Sequence, residues 1–75
     1  MENITAIEID REAIGLKLAK RRTDKGLTLK EIGEAIGENR GRVWQFEQGV
    51  GLTIENIAKL AKYYGETIDE FIKGG

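Results

Sequence analysis

Seventy-five residues are enough for one small domain with a modest core, and twelve Lys and Arg against thirteen Asp and Glu give a net charge of −1. Because cysteine and histidine are absent, disulfides, thiolate chemistry, histidine-based catalysis and zinc sites are excluded. No apolar run approaches the roughly 20 residues of a membrane span and no signal-peptide pattern is present, so we expect a cytoplasmic protein that needs neither membrane nor cofactor.

Residues 1–9 are expected to form an N-terminal arm that precedes the domain. Isoleucine occurs at positions 4, 7 and 9, and only the last two alternate as residues of a strand do. A lone strand is not stable by itself. The segment is therefore either a short strand that pairs elsewhere or a disordered arm.

The first helix is predicted over residues 11–23, with Asp10 as its N-cap. Ile14 and Leu18 are four residues apart, so both point inward from one side of the helix. Arg21 continues that inward stripe. Its long aliphatic stem can lie along apolar surface while its charged end reaches water, or the helix packs less deeply here.

Positive charge is concentrated in residues 17–30, which we call the cationic segment. It has six basic side chains and one acidic side chain, whereas the parts of the chain before and after it are both net acidic. The segment covers the end of the first helix and the entry to the next. It is either a solvated helix face or a surface that contacts phosphates.

Residues 28–48 have the pattern of two short helices joined by a tight turn. Thr28 and Glu31 form a capping-box pattern at the start of the first of these helices. Gly37 suits the left-handed backbone conformation that ends many helices. The apolar residues of the first helix then recur at helical spacing and predict one inward face, which consists of Ile32, Ala35 and Ile36.

The second helix of this pair is predicted over residues 40–48. Asn39 is its N-cap candidate, Val43 and Phe46 point inward, and Gly49 ends it. Two helices joined by a short turn that contains glycine have the helix-turn-helix layout, in which the second helix lies in the major groove of DNA.

Two further helices complete an all-α prediction. Thr53 caps a fourth helix that ends at residue 63 or 64, and its inward residues are Ile57, Leu60 and Ala61. A capping-box pattern at Thr67 opens a short fifth helix. Phe71 and Ile72 at its end cannot both point inward, so one of them is a candidate for a dimer contact.

On these patterns the chain resembles the phage-repressor-like (Cro/C1, XRE-type) helix-turn-helix family. The resemblance covers roughly residues 12–72 and is carried by the joint spacing of Arg22, Gly26, Leu27, Thr28, Ile32, Gly37, Val43, Phe46, Glu47 and Gly49, together with residues 54–61 and 68–71. It implies a compact five-helix, lambda-repressor-like domain over residues 10–73 that binds double-stranded DNA as a homodimer. The implied function is a small transcriptional regulator, in the simplest case a repressor.

The resemblance also implies a set of DNA contacts on and beside the recognition helix at residues 40–48. These are Thr28, Lys30, Asn39, Arg40, Gly41, Arg42, Trp44, Gln45 and Gln48. Among them, Arg40 and Gln45 are the predicted base readers, because Arg pairs with guanine and Gln with adenine through two hydrogen bonds. Arg22 and Glu47 are expected to form a partly buried ion pair between the first and third helices.

A second interpretation keeps the fold without DNA recognition, as a protein-interaction module or an antitoxin-like adaptor. Leu29 occupies a position where the family often has glutamine, and Gly41 removes a side chain from the middle of the predicted contact surface. Trp44 also suits a protein interface. An enzyme is not expected, because the Gly-x-Gly pattern at residues 49–51 follows no predicted strand and is not a dinucleotide site.

Overall fold

The computed structural model describes residues 10–72, which form five α-helices: α1 (Arg11–Asp24), α2 (Leu29–Ile36), α3 (Arg40–Glu47), α4 (Ile54–Tyr63) and α5 (Ile68–Ile72). The all-α, five-helix prediction is confirmed. The expected arm or strand at residues 1–9 lies outside the described residues. Within residues 10–72, no helix is both long and apolar enough to cross a membrane.

Side-chain caps set the helix starts where the sequence predicts them. The first N–H groups of a helix have no acceptor within the helix, so a side-chain oxygen just before it stabilises its start. Four N-cap residues accept a hydrogen bond from the N–H group three residues ahead, and these are Asp10, Thr28, Asn39 and Thr53. The expected capping box at Thr28 and Glu31 is complete.

The core contains side chains from all five helices. Eleven residues form it: Ile14, Leu18, Ile32, Val43, Phe46, Leu52, Ile57, Leu60, Ala61, Tyr64 and Phe71. Leu52 lies in the loop between α3 and α4 and is only 2% exposed, because this loop folds back over the core. Phe71 is the inward residue of α5, and Ile72 packs half-buried at the edge.

The predicted inward face of α2 was wrong at Ala35, which is exposed, and Gly33 is buried instead. A Cβ atom placed on Gly33 would lie only 2.4 Å from the carbonyl oxygen of Glu38 in the following turn. The turn therefore packs directly on the backbone of α2 at Gly33. This contact rotates the buried side of α2 toward Gly33 and leaves Ala35 in solvent.

Candidate nucleic-acid interface

The third helix lies against α1 with almost no space between the two backbones. A Cβ atom placed on Gly15, in the middle of α1, would lie 2.5 Å from the carbonyl oxygen of Glu47 and 2.8 Å from that of Phe46. Any side chain at this position would push the end of α3 away from α1. The close approach at Gly15 therefore fixes where α3 sits on the domain.

A bidentate ion pair closes the same junction between α1 and α3. The guanidinium of Arg22 donates to both carboxylate oxygens of Glu47, at 2.7 and 3.1 Å, and to the carbonyl oxygen of Leu27 at 3.0 Å. Only 6% of the Glu47 side chain and 18% of the Arg22 side chain are exposed, so each charge depends on the other. Burial raises the pKa of the neighbouring Tyr64 to about 12, and the charge of Glu47 adds to this increase.

The turn from α2 into α3 uses a left-handed glycine and a capping asparagine. Gly37 has a φ of 81°, a conformation that other residues rarely adopt. The N–H group of Glu38 donates to the carbonyl oxygen of Gly33 at 2.8 Å, and Oδ1 of Asn39 accepts the N–H of Arg42 at 2.8 Å. Because the cap occupies the side-chain oxygen of Asn39, its amide nitrogen is the atom left for a contact with a partner.

The outward side of α3 is accessible along its length. Arg40, Gly41, Trp44 and Gln48 are exposed, and Gln45 is half-buried. We call these five residues the reading face. The opposite side of α3 is buried and consists of Val43, Phe46 and Glu47. One helix is thus held firmly by its inner side and offers its outer side to a partner.

Arg42 lies along the protein surface at the edge of the reading face. Its guanidinium is 5.2 Å from the centre of the Phe46 ring, 3.5 Å from Oε1 of Gln45 and 3.9 Å from the carboxylate of Glu38. A Cβ atom placed on Gly51 would lie 3.3 Å from its Nη1 atom. These contacts direct Arg42 toward the loop that follows α3.

The start of α2 offers backbone N–H groups as well as a lysine. The N–H of Glu31 donates to Oγ1 of Thr28 at 3.0 Å, and the N–H of Thr28 donates to the carboxylate of Glu31 at 2.8 Å. The N–H groups of Leu29 and Lys30 lie in the first turn and have no acceptor within the helix. Together with the exposed Lys30 side chain, they suit a phosphate group.

Most basic side chains of the cationic segment contact other groups of the same chain. Four of its six basic side chains have protein partners: Arg21 with Glu66, Arg22 with Glu47, Lys20 with Asp24, and Lys17 with the carbonyl oxygen of Glu70. Lys25 and Lys30 have no ion-pair partner among residues 10–72. Glu34 and Glu38 line the same surface depression as Lys30 and Arg40. The positive charge available near the reading face is therefore smaller than the composition of the segment indicates.

Comparison with known proteins identifies the family of this chain. Residues 18–71 match the family described as helix-turn-helix, which is more than half of the sequence. The chain belongs to the XRE-type helix-turn-helix family. The resemblance inferred from residue spacing is thus confirmed, and the family comprises DNA-binding transcription regulators.

Solved structures of XRE-type regulators are similar over most of their length. The clp gene regulator ClgR from C. glutamicum is 31% identical with a TM-score of 0.75, and the match covers 85% of this chain and 84% of that chain. The restriction-modification controller protein C.AhdI from Aeromonas hydrophila is 30% identical with a TM-score of 0.73, and the match covers 83% and 91%. The BldD DNA-binding domain from S. venezulae is 29% identical with a TM-score of 0.69, covering 83% and 94%. No curated protein sequence matches this chain.

Two glycines that position the helix-turn-helix motif were missing from the expected site residues. Because Gly15 has no side chain, the end of α3 can lie directly against α1. The absence of a side chain at Gly33 likewise lets the turn after α2 pack on the backbone of that helix. The available signal was a glycine in the middle of a predicted helix. Such a glycine costs about 1 kcal/mol relative to alanine, so it calls for a packing reason.

Proposed function

We propose that the protein binds double-stranded DNA sequence-specifically as a transcriptional repressor, with α3 in the major groove. The observation that carries this proposal is the two-sided construction of α3, which is fixed inside by Gly15 and the Arg22–Glu47 pair and exposed outside at the reading face. In helix-turn-helix docking, the N-terminal residues of the second helix contact base edges. The regulator function of similar XRE-type proteins supports the same conclusion.

Arg40 is the main base reader in this proposal. It lies in the first turn of α3, is exposed, and has no ion-pair partner within residues 10–72. Its guanidinium can donate two hydrogen bonds to O6 and N7 of guanine. Gln45 is the second reader, but its Oε1 atom lies 3.5 Å from Arg42. Gln45 can therefore pair with both N6 and N7 of adenine only when its contact with Arg42 is broken.

The remaining contacts position the protein on the DNA backbone. Lys30 and the first N–H groups of α2 bind a phosphate, while the Thr28 hydroxyl stays in the helix cap. Arg42 and Gln48 lie at the edges of the reading face, where sugar and phosphate groups are expected. The Trp44 indole, 54% exposed, packs against a sugar or a thymine methyl group.

A homodimer on two half-sites completes the proposal. In this docking geometry, the two recognition helices enter major grooves about 34 Å apart, which is one turn of B-DNA. Repression needs only that the protein occupies its site, whereas activation needs an additional productive contact with another protein. Repression is therefore the simpler consequence of DNA binding by this domain.

The test is an anisotropy titration of fluorescent duplexes over a range of salt concentrations, first with random and then with selected sequence. Affinity should fall steeply as salt rises, because bound phosphates release counterions. Arg40→Ala should cost about 1–3 kcal/mol and relax the base preference at one position. Lys30→Ala should weaken all sequences equally, and Lys62→Ala on α4 is the matched control without effect. A complete lack of duplex affinity at low salt would overturn the proposal.

A protein-interaction module, such as an antitoxin-like adaptor, is the second candidate. The observation in its favour is that Glu34 and Glu38 line the same depression as Lys30 and Arg40, where they would repel phosphates. The exposed Trp44 also suits a protein interface. The combined variant Glu34→Gln with Glu38→Gln separates the candidates. Duplex affinity should rise if the surface faces DNA and stay absent if it faces a protein.

A further inference from the structure

The outer side of α1 has apolar surface that the proposed base readers, Arg40 and Gln45, do not use. Leu16 is 68% exposed, the largest fraction among the exposed large apolar residues in the described part of the chain. Ala13 and Ala19, three residues before and after it, are half-buried. Together they line a groove between α1 and the end of α3, where Gln48 lies. Small residues on both sides of Leu16 would let another helix approach closely.

The charges of α1 are arranged symmetrically about Leu16. Glu12 lies four residues before it and Lys20 four residues after it, so all three share one helix face. If two α1 helices pack antiparallel with their Leu16 side chains in contact, Glu12 of each copy lies opposite Lys20 of the other copy. A surface that is complementary to itself in this way is what a two-fold interface requires.

We propose that the protein forms a symmetric homodimer through the α1 face, which consists of Glu12, Ala13, Leu16, Ala19 and Lys20. The occupant of the groove is thus a second copy of this chain. The biological purpose of this dimer rests on the proposed function, in which two domains bind two half-sites. The contact between Lys20 and Asp24 within one copy is an exposed pair of little energetic value, so Lys20 can exchange partners.

The last helix offers less to a second copy. Phe71 is 1% exposed, and Ile72 is half-buried against the core. The exposed residues of α5 in the described part of the chain include Asp69 and Glu70. Two copies that met there would bring like charges together, which is unfavourable. The expectation of a dimer contact at the end of α5 is therefore less well supported than a contact at α1.

The α1 face is small, so the dimer should be weak in the absence of DNA. One helix face buries less area than the roughly 1,200 Å² of stable interfaces, and such contacts belong to transient complexes. Binding of both copies to adjacent half-sites would raise the effective concentration of the second copy. A weak dimer in solution is thus compatible with stable occupancy of a two-part DNA site.

Sedimentation equilibrium of the full chain without DNA, from about 1 µM to about 1 mM, tests the interface over the range of a weak dimer. The wild type should show concentration-dependent dimerisation. Leu16→Glu should raise the dissociation constant at least tenfold, roughly the loss expected for a central apolar contact. Circular dichroism should show the same helix content and thermal midpoint as for the wild type.

A charge exchange tests the antiparallel pairing itself. Glu12→Lys and Lys20→Glu should each abolish self-association, because like charges then face each other twice in every dimer. An equimolar mixture of these two chains should associate again, since every pair in the mixed dimer joins opposite charges. The control is Glu55→Lys and Lys59→Glu, which reverse one acidic and one basic side chain on the exposed surface of α4 and should leave the dimer unchanged.

Two results would overturn the α1 dimer. If the wild type stays monomeric over the whole concentration range, the α1 face does not join two copies, and destabilisation by Leu16→Glu would then show that the face is covered within one copy. If association persists in all α1 variants, the dimer uses another surface. Duplex affinity is measured separately at low salt. Its absence in wild type and variants alike would remove the proposed function while leaving the dimer result standing.

Discussion

Two neighbouring arginines of α1 form bidentate ion pairs in different surroundings. Arg22 binds Glu47 and joins α1 to α3, whereas Arg21 binds Glu66 just before α5. In the first pair, 18% of the arginine and 6% of the glutamate side chain are exposed, against 32% and 21% in the second. Both pairs have two hydrogen bonds of similar geometry, so the two pairs differ mainly in how much water can reach them.

This difference decides what each pair does for the fold. If either partner of the Arg21–Glu66 pair is removed, water can solvate the remaining charge. Loss of Glu47, in contrast, would leave the charge of Arg22 without a partner and with little access to water. Arg21 also lies over the ring of Phe71, 5.4 Å from its centre, so its aliphatic part and guanidinium cover the core. This contact explains why a basic residue continues the inward stripe of the first helix.

The largest expected effect tests whether backbone contact or ion pairing holds α3 on α1. Gly15→Val would place a branched side chain where even a Cβ atom meets the carbonyl oxygen of Glu47 at 2.5 Å. We expect a loss of at least about 4 kcal/mol, a large part of the stability of a small domain. Urea denaturation measures it. Gly41→Val is the control, because only Oδ1 of Asn39 lies within 3.4 Å there.

The next effect compares the two ion pairs directly. Glu47→Ala should cost about 3 kcal/mol, because Arg22 loses the partner of a nearly buried charge. The double variant Arg22→Met with Glu47→Leu should recover part of this loss, since it leaves no unpaired charge. Urea denaturation of the wild type, Glu47→Ala and the double variant measures the loss and its recovery. Equal destabilisation by Glu47→Ala and Glu66→Ala would show that burial does not distinguish the pairs.

The sequence predicted features that depend on local chemistry. The caps at Asp10, Thr28, Asn39 and Thr53 depend on residues three positions apart, so they could be read from the chain. The inward and outward sides of α3 followed in the same way from helical periodicity.

Features that depend on distant contacts were missed. The close approach at Gly15, the burial of Gly33 in place of Ala35, and the burial of Leu52 in a loop all require knowledge of which helices meet. The partner of Arg21 lies 45 residues away in the sequence. Within the candidate site, the contact of Arg42 with Phe46 follows from their spacing of four residues on one helix. That the Arg42 side chain also points toward the loop after α3 could not be predicted from this spacing.

A smaller, pH-dependent effect is expected for the Arg21–Glu66 pair, which is the more exposed of the two. The hydrogen bond from Arg21 lowers the pKa of Glu66 in the folded protein. Its stabilising contribution is therefore complete above the pKa of the unfolded carboxyl group and disappears as pH falls through the lower folded value. Glu66→Gln should cost about 1 kcal/mol or less at pH 7, given the solvent access of the pair. The difference from wild type should hold to about pH 5 and shrink below about pH 4.

Urea denaturation of wild type and Glu66→Gln at several pH values measures this dependence. The Glu55→Gln variant on α4 is the control, because Glu55 has no ion-pair partner among residues 10–72. Added salt should reduce the effect at Glu66 more than the effect at Glu47, since screening acts mainly on exposed charges. A difference between wild type and Glu66→Gln that grows toward low pH would contradict the assigned role of Arg21.

The smallest effect on stability separates fold from function at the reading face. Gly41→Ala should stabilise the domain by about 0.5 kcal/mol, because alanine is the better helix former. The new Cβ atom would lie 3.3 Å from Oδ1 of Asn39, and this exposed side chain can move the few tenths of an ångström that are needed while it still caps α3. In the proposed complex, however, Gly41 lies at the centre of the surface that enters the groove. Duplex affinity should therefore fall while the urea midpoint rises. If the same change left affinity for a selected duplex intact, the centre of α3 would not be the surface that approaches the bases.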